Sequence, residues 1–396
     1  VTADRPGSSL EVLRVALRLG LTSFGGPVAH LGYFRREYVD RRGWLDAAAF
    51  GDLVALVQLL PGPASSQLGI AIGTRRAGVR GGIAAWLGFT APSAVAMIAL
   101  GVAATRVDLA DAGWVHGLKL AAVAVVAQAV VAMARSLAPD ALRRVMAVVA
   151  AAAALLIASP FAQVGIIALG AIAGLAVLSP GAAPPAVDEP PTVSRRAGLA
   201  LLLVLAALLV ALPLVRGIDG SLAVVDSFFR SGALVFGGGH VVLPLLHANV
   251  VDPGWVTDSA FVAGYGAAQA VPGPLFTFAG YLGAVSSVGP GGVAGGLLAL
   301  LAIFAPSFLL VFGALPFWDG LRASARVRRA LAGANAAVVG LLAAALYTPV
   351  WTSAVARPAD VVVAGAGFAL LLTGRVPPIA VVVLAAVAGQ VLALFG

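Results

Sequence analysis

Gln58-Leu-Leu-Pro61-Gly62-Pro63 runs directly into Ala64-Ser65-Ser66-Gln67, and a near copy, Gln269-Ala-Val-Pro272-Gly273-Pro274, runs into Leu275-Phe276-Thr277-Phe278. Proline and glycine end one helix, and a new one can start behind the second proline. A helix start offers free backbone N–H groups and about half a positive charge, which suits an oxyanion. Ser65 and Ser66 add hydroxyls at the first copy and Thr277 at the second. Phe24-Gly25-Gly26-Pro27 and Phe236-Gly237-Gly238-Gly239-His240 also precede helix starts, where glycine lets a ligand reach bare backbone and His240 could donate to it. Arg18 and Arg230 stand about six residues, roughly 9 Å of helix, before these glycines. A guanidinium in an apolar run is functional by default and fits a tetrahedral oxyanion bidentately. The chemistry on offer is anion binding by convergent helix N-termini.

Each of these residues also has a blander role. Arg18 could join Arg14 and Glu11 on a solvated helix face, and Arg230 could simply pair with Asp226 at i, i+4. Asp52 could carry a proton, balance an arginine, or sit solvated near a helix end. Lys119 and Asn335, at related positions, are coupling candidates that snorkelling would equally explain. Gln58 and Gln269 could pack on freed carbonyls, and the glycine runs could serve close helix packing.

The elements that position this chemistry are membrane helices. The 396 residues are 61% hydrophobic and 11% charged, and mean hydropathy is +1.02, far from an ordinary soluble domain. With no cysteine, disulfides and thiolate metal sites are excluded. The net charge of +8 resides in short arginine clusters between apolar runs, which follows the positive-inside bias and speaks against nucleic acid. There is no G-x-x-x-x-G-K-[ST], no H-E-x-x-H and no paired intramembrane carboxylate set, so neither ATP coupling in this chain nor an intramembrane enzyme is expected. No cofactor is expected.

The chain repeats itself. Besides the two motif pairs, Trp44 matches Trp255, Phe50 matches Phe261, and Ala91-Pro92-Ser93 matches Ala305-Pro306-Ser307, at an offset of about 211 residues. The arginine bias inverts: residues 35–42 and 75–80 are basic where 247–258 and 286–291 hold no Lys or Arg, and the acidic 105–116 answers the basic 319–329. The halves are therefore expected upside down relative to one another. Leu45–Thr74 lies between two basic loops yet has only about 30 residues where two spans need about 40. It reads as a re-entrant hairpin of two short helices with Pro61-Gly62-Pro63 at its tip, and Leu10–Phe34 reads as another; Val224–Val250 and Ser259–Val285 repeat both.

The fold expected is an all-α polytopic membrane protein of two inverted-topology repeats, each with two re-entrant hairpins and about four transmembrane helices. Residues 1–9 form a cytoplasmic tail, 10–178 the first repeat, 179–197 a Pro-rich cytoplasmic linker, 198–216 one extra transmembrane helix, and 217–396 the second repeat. The short polar N-terminus, without a signal-peptide pattern, is expected in the cytoplasm and the C-terminus outside. The Pro-Gly-Pro tips are expected to approach one another near the midplane.

The Phe-Gly-Gly, Pro-Gly-Pro, Ala-Pro-Ser and Phe-Gly-Gly-Gly-His motifs quoted above resemble those of the chromate ion transporter family across nearly the whole chain. The resemblance implies a long-chain member, two homologous domains of opposite orientation that export chromate from the bacterial cytoplasm and confer chromate resistance, with sulfate as the look-alike anion. Where the family has a glutamate before the first Pro-Gly-Pro, this chain has Asp52. The partners expected are a small oxyanion and the lipid bilayer of the bacterial inner membrane, and the reading admits a homodimer. A passive anion channel, or a transporter of sulfate or another oxyanion, would share this architecture.

Overall fold

The computed structural model describes residues 7–24, 26–105, 113–157, 162–179, 193–235, 242–318, 320 and 324–395, all in helices and short connections. Caps set several starts. Ser8 accepts from the Glu11 N–H at 3.1 Å and opens α1 (Ser9–Thr22); Asp46 accepts from Ala49 at 2.7 Å and opens α3 (Ala47–Leu59). Between them α2 (Gly26–Phe34) continues into a π-turn, Arg35–Arg41. The helix behind Pro63, α4 (Ala64–Ala104), is broken at Ala77 and at Gly78, whose φ of 66° favours glycine. The break divides the arm after the first tip from the following span, within the basic loop expected from the sequence. Then come α5 (Gly113–Leu137), α6 (Ala141–Leu156), α7 (Ala162–Val177) and α8 (Arg195–Val215).

The second half retraces this order. Helix α9 (Gly220–Ala233) matches α1 at 14 residues, and α11 (Asp258–Ala270) matches α3 at 13. Between them lie α10 (Val242–Leu246) and a second π-turn, His247–Val251. After the second tip, a 3₁₀ turn leads into α12 (Phe278–Val285), then α13 (Gly292–Ala314), α14 (Ala325–Ala345), α15 (Pro358–Leu372) and α16 (Pro378–Phe395). Backbone geometry repeats with the sequence: φ is 59° at Gly43 and 81° at Gly254, 120° at Gly62 and 107° at Gly273, 66° at Gly78 and 82° at Gly289.

In each half the first four short helices start and finish at one end. The guanidiniums of Arg42 and Arg76 lie 5.6 and 5.3 Å from the Trp44 ring. Arg76 also reaches Glu11 at 3.3 Å, and its carbonyl takes the Gly7 N–H. The start of α1, the turn before α3 and the break in α4 therefore meet around one tryptophan, so α1–α2 and α3–α4 each run out and return. In the second half, the Trp255 carbonyl takes both the N–H and the hydroxyl of Ser287, and Gly220 packs on Gly289.

The two long helices join these ends. Past its break, α4 starts beside the first tryptophan, lies against α1 where Gly20 faces the Phe89 carbonyl, and reaches Tyr281 and Ala284 of α12 at Gly101. From Arg80 to Gly101 is about 30 Å of helix, close to the thickness of a hydrocarbon core. Running the other way, α13 faces α9 where Gly232 meets the Ile303 carbonyl, and beyond its end Trp318 bonds Asp52 of the first half. The cores interlock likewise. Val311, Phe312 and Trp318 complete the cluster around α1–α4, while Ala94 and Met97 join the cluster of the second half. Farther out, α6 and α7 pack on α14, and α15 and α16 on α5.

Five helices among the described residues are long and apolar enough to cross a membrane: Ala64–Ala104, Gly113–Arg135, Arg195–Val215, Gly292–Phe317 and Ala325–Ala354. Leucines and valines of α6 and α8, among them Val148, Leu156, Leu203 and Leu214, stand exposed, as a lipid-facing surface requires. The protein is a polytopic helical membrane protein.

Close packing makes one prediction. Gly232→Val drives a side chain into the Ile303 carbonyl and should cost about 1–3 kcal/mol, whereas Gly32→Ala in α2 meets open space and should be neutral or gain up to about 1 kcal/mol. Thermal unfolding in detergent, expected to fall for the first and not the second, checks both.

Candidate functional site

Among the described residues, two backbone hydrogen bonds between the tips and the other half cross the molecule. The Gly62 N–H of the first tip donates to the Val235 carbonyl, 2.7 Å, just behind α9; the Gly273 N–H of the second donates to the Ser23 carbonyl, 3.0 Å, just behind α1. Each Pro-Gly-Pro turn is thus tied to the place where the other half's first hairpin turns. The positive φ of Gly62 and Gly273 orients these N–H groups, and the missing side chain makes room. A methyl group on Gly62 would collide with the Gln67 amide and stand 3.4 Å from Ser307 Oγ; on Gly273 it would stand 2.7 Å from Ser93 Oγ. Both serines belong to the long helix of the opposite half.

The cradle is rich in unspent neutral polar groups. Pro61 presents its carbonyl to Gln67 Nε2 at 2.6 Å, which leaves Gln67 Oε1 buried without a partner. The hydroxyls of Ser23, Ser66, Thr90 and Ser307 are likewise buried and unpaired, as is Gln269 Nε2. Such groups carry a desolvation cost and call for a water or ligand. Ser65 is buried beside Ser66 on the first turn of α4. Thr277 spends its hydroxyl on the Pro274 carbonyl at 2.9 Å. Ser23, Gln67, Ser93 and Ser307 lie outside the set drawn from sequence. The paired Ala-Pro-Ser motifs were the available signal, because a serine kept at one place in two apolar helices has a shared task.

Several expected residues stand elsewhere. Arg18 is exposed on α1, whose buried face, Val12, Val15, Ala16, Leu19 and Gly20, packs on α4. Arg230 donates from Nη2 to Asp226 Oδ2 at 2.7 Å, the i, i+4 pair already visible in sequence, and Arg216 joins at 3.3 Å. Asp226 is fully buried with Oδ1 unpaired. Asp52 is buried and accepts from Trp318 Nε1 at 2.9 Å, rather than sitting solvated at a helix end. Lys119 is buried on α5 rather than snorkelling, and Asn335 is half-buried on α14 with Oδ1 unpaired. Phe24 is half-buried between α1 and α2, and Gly26 begins α2. Gly25, Gly237, Gly238, Gly239 and His240 lie outside the described residues.

The two inner hairpins differ in their seating. Helix α11 is buried from Phe261 to Ala268, with Gly266 under the Leu118 carbonyl of α5. On α3, Gly51 and Gln58, at the positions of Val262 and Gln269, are exposed.

The profile of the family described as chromate transporter matches twice, at residues 10–175 and 222–390. A chromate transport protein from Pseudomonas aeruginosa is 31% identical over 345 residues, covering 86% of this chain and 80% of that one. One from Cupriavidus metallidurans is 27% identical over 348 residues, 85% and 81% of the two chains. An uncharacterized transporter from Methanocaldococcus jannaschii is 26% identical over 345 residues, 85% and 83%. No solved structure matches.

The buried Asp226 makes a prediction about Arg230. Arg230→Ala should destabilise the protein by on the order of 3 kcal/mol, because it strips a buried carboxylate of its nearer partner. Adding Asp226→Ala should recover part of that loss. A double-mutant cycle read by thermal unfolding is expected to show a coupling above about 1 kcal/mol.

Proposed function

The chain belongs to the chromate transporter family, and we propose from that premise that it exports a divalent tetrahedral oxyanion, chromate with sulfate as look-alike, through the cradle between the crossed tips. The crossed pair Gly62–Val235 and Gly273–Ser23 carries this reading, since it brings helix-breaking turns of both halves together. The anion is held by the N-terminus of α4 with Ser65 and Ser66, by the hydroxyls of Ser23 and Ser307, by Ser93 once its hydroxyl turns from the Thr90 carbonyl 3.1 Å away, and by the Phe-Gly-Gly and Phe-Gly-Gly-Gly turns with His240. Neutral donors spread the charge without fixing it to one side, which favours release as well as binding. Arg18 and Arg230 are left out of first contact; one faces outward and the other is held by Asp226.

In this reading the hairpins are re-entrant and the repeats inverted. The arginine-rich end around Trp44 faces the cytoplasm and the arginine-poor end around Trp255 faces outward. Residues 10–178 and 217–396 are the two transport domains, linked by 179–197 and by α8, which carries the chain across so that the second domain starts from the other face. The N-terminus lies in the cytoplasm of a bacterial inner membrane and the C-terminus outside. Alternating access is the exchange of seats: α11 closes on α5 while α3 stands open, then the reverse. An interior-negative potential drives anion exit, about 2.3 kcal/mol per charge per 100 mV, and resistance to chromate follows.

Reconstituted vesicles test this. Saturable chromate or sulfate flux is expected, with chromate, sulfate and molybdate in mutual competition and phosphate weaker. Ser93→Ala and Ser307→Ala should each raise the apparent KM about fivefold, near 1 kcal/mol, in folded protein. Absence of flux for all four anions overturns the oxyanion reading, and flux that never saturates makes the protein a channel.

A further inference from the structure

His30, in α2, is only 1% exposed. Its ring stands edge-on to Phe89 at 5.2 Å and stacks on Phe34 at 6.5 Å. Nε2 lies 3.2 Å from the Ser23 carbonyl oxygen. A carbonyl can only accept, so Nε2 bears a hydrogen and donates it. The same carbonyl takes the Gly273 N–H. His30 is therefore bound to the second Pro-Gly-Pro turn through one shared acceptor, and the unpaired Ser23 hydroxyl is on the same residue.

With Nε2–H committed, Nδ1 has two states: a bare lone pair in the neutral ring, or an N–H donor in the imidazolium. Nδ1 is buried and without a partner. The neutral ring adds no charge to the cradle, whereas the imidazolium places a full positive charge beside the Ser23 carbonyl that also takes the Gly273 N–H. On the oxyanion reading given above, we infer that His30 takes up one proton as the anion enters the cradle and surrenders it as the anion leaves, so that proton and anion bind together. The proton comes from water on the loading side and returns to water on the other; no covalent bond changes.

The charged groups on the neighbouring elements are paired with one another, exposed, or at the far end of the hairpin. Along α2 and its π-turn, Glu37 lies beyond Phe34 and is held by Arg41 at 3.2 Å and Arg42 at 2.7 Å. On α1, Glu11 pairs with Arg76 of α4, and Arg14 and Arg18 are exposed; Arg75 and Arg80 sit at the α4 break. The second tip brings the neutral Gln269. No ion pair to His30 occurs among the described residues, which leaves the anion as the group that would favour its charged form.

The test is sulfate uptake by reconstituted vesicles between pH 5.5 and 8.5, together with nitrogen NMR of the histidine rings in micelles. In the unaltered protein the apparent affinity should fall as pH rises, by up to about tenfold per pH unit wherever the anion-free ring is neutral and the anion-bound ring is charged. His30→Gln keeps an amide N–H for the Ser23 carbonyl and has nothing to titrate, so its uptake should be flat in pH. At pH 7.5, sulfate should convert the His30 ring, assigned by its loss in His30→Gln, from neutral to imidazolium. A pH slope equal in both proteins, a flat slope in the unaltered one, or a His30 ring still neutral at saturating sulfate overturns the inference. If the unaltered protein moves no sulfate or chromate at any pH, the oxyanion reading falls first and takes this with it.

Discussion

Broken backbone inside a bilayer has no water to bond, so its N–H and C=O groups must find protein partners. The crossed bonds from Gly62 to Val235 and from Gly273 to Ser23 meet that demand reciprocally. Neither half can satisfy its own Pro-Gly-Pro turn, because the acceptor lies on the other. This constraint holds four helix ends in one small volume, and it makes each half incomplete by itself. The interlocked clusters follow, with α13 closing the core around α1–α4 and α4 entering the core of the second half.

Glycine is what lets the arms approach closely enough for the turns to meet. Lipid tails are as apolar as leucine, so helices in a bilayer gain little from burying apolar surface and depend on close contact. Gly73 and Gly81 face one another across the α4 break, as Gly283 and Gly295 do between α12 and α13. Gly20 and Gly232 seat the outer arms on the carbonyls of the long helices. A side chain at any of these would push a hairpin outward and draw its tip away from the partner carbonyl. Packing at the periphery and polar geometry at the centre are thus one property.

The duplicated motifs made the element order readable from the sequence alone, since breakers, tryptophans and arginine bias are local features. The α4 break was legible as a basic loop, and there the backbone leaves helical geometry at Ala77 and at Gly78, with φ of 66°. Arg18 and Arg230 match as motif positions, and the sequence left a ligand role open to either of them. Their difference comes from the residues one turn earlier, Arg14 in one case and Asp226 in the other, and from burial that only packing decides. Ser93 and Ser307 stayed hidden because their role depends on which half each touches. His30 has no chemical echo, for α10 offers apolar Val242 near the matching position.

The remaining asymmetry bears on how such a molecule moves. Two repeats with the same element order and the same tip bonds would have equal surroundings if both were seated alike. Instead α11 is buried along its length while Gly51 and Gln58 of α3 are exposed. A glutamine facing lipid would be costly, which is why the exchange of seats proposed above gives the exposed face of α3 to water. The tips themselves remain bonded across the halves while one hairpin is seated and the other is not. The centre is held by its own hydrogen bonds, a condition that the alternating access proposed above would need at a fixed site.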